Sequence, residues 1–214
     1  DTCDPNAQAL LGGALFDAKN YADAAKAFQA QAGMTPNDAD AWFSVGNALF
    51  FSCGPDKTCR DLDGAATALV RAAELTPTSY GVNLALGSVY DQQDKPDKAA
   101  AAWERGLTGA RTATERRVLL EGLGGQYATL KQWPRAELSY RQALSITRAP
   151  ESQRGLVQAL FAQNKYDETI NEARALLATT PDDAPAKSTL AASLATRAYA
   201  SLTSWRVDDA ANDW

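Results

Sequence analysis

The 214-residue chain has no histidine. That removes hydrolase arrangements in which a histidine activates a serine or cysteine, and the common metal sites built on imidazole. No apolar run approaches the ~18 residues that a membrane span needs. Nor is there a charged n-region leading into an apolar h-region, so in an exported protein the signal peptide would already be gone. Basic residues are outnumbered 21 to 26, giving a net charge of −5. The basic surface that marks nucleic-acid binding is therefore missing, and no nucleic-acid partner is expected. A glycine-rich phosphate loop is absent too: Gly12-Gly13 and Gly124-Gly125 fall inside helical patterns, where close packing accounts for them. Asp61-Leu62-Asp63-Gly64 resembles part of a calcium loop but lacks the closing glutamate. It reads instead as the acidic start of a helix, complementing the dipole. No catalytic residue, cofactor or metal is expected, and the chain reads as non-enzymatic.

What is present describes a folded chain. Apolar residues make up 45%, aromatic 8% and charged 22%, a balance that argues against disorder. The most telling stretch runs from Trp42 to Phe51. Trp42, Val45, Gly46 and Leu49 stand at i, i+3, i+4 and i+7, one face of a helix. Phe43, Phe50 and Phe51, with Asn47 between them, make a second apolar stripe beside the first. A surface helix with one core needs only one stripe. Two imply a helix packed on both sides, or one that shows an apolar face to something else.

The first stripe recurs. Small residues stand at Gly12, Gly46, Gly87 and Gly124, followed by Val157 and Ala191, at intervals of 34, 41, 37, 33 and 34 residues. A second small position follows downstream at Ala24, Ala65, Ala99, Ala136 and Thr169. Four residues after each comes Phe28, Leu69, Trp103, Tyr140 or Ala173. Three residues before each comes Tyr21, Leu62, Pro96, Trp133 or Tyr166. Pro36, Pro77 and Pro181 close three copies. The pattern resembles the tetratricopeptide repeat (TPR), whose period is 34 residues, over about residues 5–203. The resemblance implies an all-α fold, a right-handed α-solenoid (superhelix) of antiparallel helix pairs A and B. Small residues let the two backbones approach, and no repeat buries its apolar face alone, so neighbours must stack.

The expected repeats are about 5–36, 39–77, 80–111, 115–148 and 150–181, after a short leader at 1–4. A capping helix over 184–203 completes the single solenoid domain, residues 5–203, and an acidic C-terminal tail holding Trp205 and Trp214 follows over 204–214. Lys19-Asn20 and Asn164-Lys165 supply turn chemistry between helices A and B. Asn37-Asp38, Thr78-Ser79 and Asp182-Asp183 supply caps for the helices that follow. The link from Thr108 to Thr114 is longer than its counterparts and has no proline. Arg111, Arg116 and Arg117 cluster near the fourth A helix and read as a solvated face.

The extra length of the second repeat lies in a turn-rich loop bracketed by Cys53 and Cys59. These two read as a disulfide, with two reduced thiols as the alternative. In a solenoid Cys3 would sit at the opposite end of an A helix from Cys53, about 20 Å away at 1.5 Å per residue. A bridge points to an oxidising compartment, periplasmic or extracellular, and reduced thiols leave a cytoplasmic setting open.

In the resembled family the A helices line a concave face that holds a peptide or a partner helix. Carried over by repeat position, the expected partner-binding residues are Phe16 and Asp17, then Phe43, Asn47, Phe50 and Phe51. Leu84, Asp91, Glu121 and Arg154 follow in later repeats. Asn47 matches a position where the family often holds an asparagine that bonds a peptide backbone. An amide can both donate and accept there. The lysines and arginines with which chaperone-binding members clamp a carboxylate are replaced here by Ala9, Gly13, Phe43 and Leu84. The expectation is a scaffold for a protein or peptide partner, suited to an apolar or basic segment. The alternative is a self-associating assembly or accessory factor of a cell-envelope, secretion or polysaccharide-export system, which leaves a homo-oligomer open.

Overall fold

The computed structural model describes residues 4–52 and 61–212, with the backbone alone for 204–212. Cys3, Cys53 and Cys59, and hence the expected disulfide, lie outside the described residues, as do Trp214 and the side chain of Trp205. Eleven helices fill the described chain, with no strand among the described residues. They are α1 (Pro5–Asp17), α2 (Tyr21–Met34), α3 (Ala39–Phe51), α4 (Leu62–Leu75), α5 (Tyr80–Gln92) and α6 (Pro96–Gly109). Then come α7 (Ala113–Thr129), α8 (Trp133–Ile146), α9 (Pro150–Ala162), α10 (Tyr166–Thr179) and α11 (Ala184–Asn212). The fold is an α-solenoid: odd-numbered helices take the A position and even-numbered helices the B position.

Local chemistry sets the boundaries. Asp4, Asp38, Asp61, Ser79 and Asp183 each accept a hydrogen bond from a backbone N–H in the first turn of the helix they precede. Each satisfies a donor that the helix cannot. Asp61 is therefore a helix cap. Four A–B turns share one geometry, with Lys19, Asp94, Lys131 and Asn164 at φ between 55° and 60°. In each, the next residue's N–H reaches back to a carbonyl five residues earlier, as from Asn20 to Leu15 at 2.8 Å. This is the Schellman closure, made here without glycine. The long link before α7 is held by a reciprocal capping box. Glu115 N–H donates to Thr112 Oγ1, and Glu115 Oε2 accepts from the N–H of Thr112 and of Arg111. The Arg111 and Thr112 amides hold the Glu115 carboxyl below its ordinary pKa.

The chain divides into two compact units, 1–119 and 120–214, with the boundary inside α7. Within each, the small residues of the A helix meet the large residues of the B helix at the register expected from the repeat. A Cβ on Gly12 would stand 2.6 Å from the Phe28 ring, one on Gly46 2.5 Å from Leu69 Cγ, and one on Gly124 2.6 Å from Tyr140. Gly87 lies still closer to the Trp103 indole, whose Nε1–H donates to the Leu84 carbonyl at 3.2 Å. In the fifth repeat the sizes are reversed, with Val157 on the A helix and Ala173 on the B helix, both buried.

Unit one holds its core in two clusters, one around Phe28, Val45 and Ala48, the other around Leu69, Leu86 and Val89. Asn83 is wholly buried and donates to the Pro77 and Ser79 carbonyls, pinning the α4–α5 loop. In unit two, α8, α9, α10 and α11 pack in succession. Glu137 gathers Lys165 Nζ at 2.6 Å, Gln163 Nε2 at 2.8 Å and Arg141 Nε at 2.9 Å, tying α8 to the α9–α10 turn. The backbone of α11 continues past Thr203 to Asn212, so most of the acidic tail is helical.

Candidate functional site

The second stripe of α3 meets two depressions in unit one. Helices α1, α3 and α5 occupy the A position in successive repeats, and α3 touches α5 directly. Between them lies a cavity of about 270 Å³, walled mostly by Phe43 and Phe50 of α3 and Leu84, Ala85 and Val89 of α5. A second cavity, of about 150 Å³, opens beside α1 and is lined by Gly13, Phe16, Asp17, Phe28 and Ser44. Asn47 lines both. It is half-buried, and among the described residues its amide has no hydrogen-bond partner. Asn47 follows Gly46 by one residue, just as Gly13 follows Gly12 and Ser88 follows Gly87. In the first three repeats the position next to the packing glycine thus lines a cavity.

The aromatic residues serve core and groove together. Phe43 and Phe50 pack on the second core cluster with one side and face the larger cavity with the other. Phe51 is 45% exposed. It stands edge-on to Phe16 and Phe50, with centroids 6.0 and 5.1 Å apart, and tilted against Tyr21 at 5.7 Å. Phe16 meets Tyr21 edge-on at 5.0 Å. The four rings brace the end of the groove where α1 and α3 finish, a favourable arrangement for aromatic pairs.

Phe16, Asp17, Phe43, Asn47, Phe50, Phe51 and Leu84 all line one or both cavities. Asp91 is exposed in the last turn of α5 and lines neither. Glu121 and Arg154 belong to unit two. There Glu121 Oε1 accepts from Ser152 Oγ at 2.8 Å. Arg154 grips Asp183 through Nε at 2.8 Å and its terminal nitrogen at 2.6 Å. The Arg154 guanidinium and the Ala186 N–H hold the Asp183 carboxyl below its ordinary pKa. Arg154 is thus committed to holding the cap of α11. The sequence reading passed over Gly155, which lies against the Tyr140 ring from the next repeat. Its place two residues before the small position of the fifth repeat was the available signal. It also passed over Thr112 and Glu115, whose spacing is that of a capping box.

Among the described residues no group of three acidic or cysteine side chains is placed to hold a metal, and no helix is long and apolar enough to cross a membrane.

Stacked helix pairs with an open, partly apolar inner face define a helical-repeat scaffold. The tetratricopeptide repeat family model matches residues 9–50 and 60–115. These two stretches are tetratricopeptide repeats. No curated protein sequence matches it. Among solved structures it is similar to that of MamA, with TM-score 0.71 at 18% identity over 84% of this chain and 93% of that one. It is similar as well to YrrB, described as a TPR protein with an unusual peptide-binding site. There the TM-score is 0.67 at 20% identity, over 81% of this chain and 84% of that one. A tetratricopeptide repeat protein from Parabacteroides merdae ATCC 43184 aligns with TM-score 0.69 at 15% identity, over 88% and 72%. At these identities what is shared is the fold.

Proposed function

We propose that the chain is a non-enzymatic interaction scaffold that holds a peptide or partner protein along the α1–α3–α5 face of unit one. The observation that carries this reading is the unpartnered Asn47 amide, set between two apolar cavities. The Asn47 amide keeps its donors and its acceptor uncommitted to the rest of the described protein. A bound backbone would supply both a donor and an acceptor. The aromatic walls would give apolar anchors their contact area.

The test is retention of a prey from the source cell's extract by wild type beside Asn47→Ala and Phe43→Ser, with folding checked by circular dichroism and melting. Loss of the prey on folded Asn47→Ala supports the reading. Retention by both folded variants moves the binding surface elsewhere.

A second reading, a self-associating assembly factor, draws on exposed apolar residues of the terminal helices. Leu10 and Leu11 of α1 are 77% and 50% exposed, and Tyr199 and Leu202 of α11 are 70% and 61% exposed. Light scattering decides it: a monomer at high concentration counts against assembly. The exported setting rests on the Cys53–Cys59 pairing expected from the sequence. Alkylation of all three thiols in freshly isolated, unreduced protein would remove that support.

A further inference from the structure

We infer that the groove's occupant is an extended, positively charged segment that seats two apolar side chains, one on each side of Asn47. The inference rests on the groove reading above and adds the chemistry and conformation of the partner.

Charge comes first. The inner helices α1, α3 and α5 carry three charged side chains in all, Asp17, Asp40 and Asp91, and no lysine or arginine. The outer helices α2, α4 and α6 mix both signs, and there Asp23 pairs with Lys26 at 2.8 Å and Glu74 with Arg71 at 2.9 Å. Among the described residues Asp17 and Asp40 have no ion pair. Asp17 lies on the wall of the smaller cavity. Asp40 stands one turn before Phe43 on the same helical face. Residues 1–119 hold 15 acidic and 11 basic residues, so unit one carries −4 of the net −5. A groove with apolar pockets and only negative charges on its helices attracts a cationic partner and repels an acidic one.

Conformation follows from spacing and from the amide. The two cavities flank Asn47 across neighbouring inner helices, and packed helices stand about 8–10 Å apart. An extended chain advances about 3.3 Å per residue and alternates its side chains between two faces, so side chains two positions apart share the face that meets the groove and are spaced to reach both cavities. A helical partner has already spent its mid-helix backbone donors and acceptors within itself, and offers Asn47 only side chains and helix ends, where an extended chain offers its backbone throughout.

Gly13 is the independent sign that room is kept here. Glycine is disfavoured inside a helix. At Gly12, one residue earlier, packing against Phe28 requires it, but a Cβ on Gly13 would meet nothing within 4 Å. Its absence leaves the smaller cavity open.

The test is a display library of short random peptides panned on the whole chain. Recovered sequences should carry two apolar residues two positions apart, with lysine or arginine adjoining, and should bind less well as salt rises. Gly13→Leu has room for its Cβ and extends its branch into the smaller cavity. It should weaken these peptides roughly tenfold to hundredfold, the worth of one buried aliphatic anchor, while melting at or above the wild-type temperature. The surface double variant Asp17→Lys/Asp40→Lys should turn the recovered charge preference from basic to acidic, and it reads the inference even if Gly13→Leu fails to fold. Peptides that are acidic, charge-indifferent or spaced as one face of a helix overturn the inference. If Asn47→Ala still releases such peptides, the groove reading survives. Peptides indifferent to Asn47→Ala and Gly13→Leu alike sink both. An empty selection overturns the extended-segment inference and leaves the groove reading to the extract experiment.

Discussion

Gly46 of α3 faces Leu69 of α4 so closely that a Cβ on the glycine would stand 2.5 Å from the leucine Cγ. Leu69 is fully buried and has no free space into which to retreat. The same register in the fifth repeat sets Val157 opposite Ala173, both buried, as a volume shared between two positions would require. Gly46→Val alone should cost about 1–3 kcal/mol through overpacking, and Leu69→Ala alone about 2–5 kcal/mol through the cavity it leaves. Combined, they reproduce the fifth repeat's arrangement. The double variant should lose less than the sum of the single variants by about 1 kcal/mol or more in urea unfolding. Strict additivity would mean that the two positions do not share a contact.

The neighbouring glycines Gly12 and Gly13 should respond with opposite signs. A Cβ at Gly12 would press on the Phe28 ring at 2.6 Å, and Phe28 is itself buried, so Gly12→Ala should destabilise by about 1–3 kcal/mol. At Gly13 nothing lies within 4 Å. Gly13→Ala should gain up to about 1 kcal/mol from helix propensity, or roughly 2–4 °C in melting temperature for a chain of this size. A loss of stability on Gly13→Ala would contradict the open cavity beside it.

That contrast shows why some features were legible in the sequence and others were not. The small positions repeat because helices A and B approach closely only where one of them carries little or no side chain, glycine on helix A in four repeats and Ala173 on helix B in the fifth. That Phe43, Asn47 and Leu84 line a cavity was legible because they lie one face away from that register. The A–B turns gave a weaker signal. Lys19, Asp94 and Lys131 adopt the left-handed conformation, which glycine usually marks and lysine does not. Arg154 sits at a groove position by count, yet Asp183, 29 residues later, claims it. Periodicity locates a side chain on a helix face but does not say which loop will fold back over it.

The Arg154–Asp183 pair should therefore matter to stability and not to groove binding. Asp183 is almost wholly buried and caps α11 through the Ala186 N–H at 2.9 Å. Asp183→Ala should cost about 0.5–2 kcal/mol for the cap alone, with a further loss from the stranded arginine. Arg154→Ala should cost about 1–3 kcal/mol, typical of a hydrogen-bonded charged group. Peptides recovered on the α1–α3–α5 face should bind folded Arg154→Ala as they bind wild type. Weaker binding by that variant, with folding unchanged, would bring Arg154 back into the site.

Glu137 should make stability depend on acid. Burial by itself pushes the Glu137 carboxyl up. The hydrogen bonds from Lys165, Arg141 and Gln163, with the Lys165 charge, outweigh it and bring the pKa below the ordinary carboxylate value. A lowered folded-state pKa means that the unfolded chain takes up the proton first as pH falls. The stabilisation is thus fully present above the unfolded value, about 4.3, and is lost as pH drops through the folded value. Glu137→Gln removes the charge at every pH. At neutral pH it should cost about 1–3 kcal/mol, the worth of hydrogen bonds to a charged group. The gap between wild type and variant should hold steady down to about pH 5 and close below about pH 4. Other acidic groups titrate in both proteins and cancel in the comparison. Urea unfolding of the pair across that window measures the gap directly. A difference that stays constant to the acid limit would show that the contact works through shape and neutral hydrogen bonding, and that the charge on Glu137 contributes nothing.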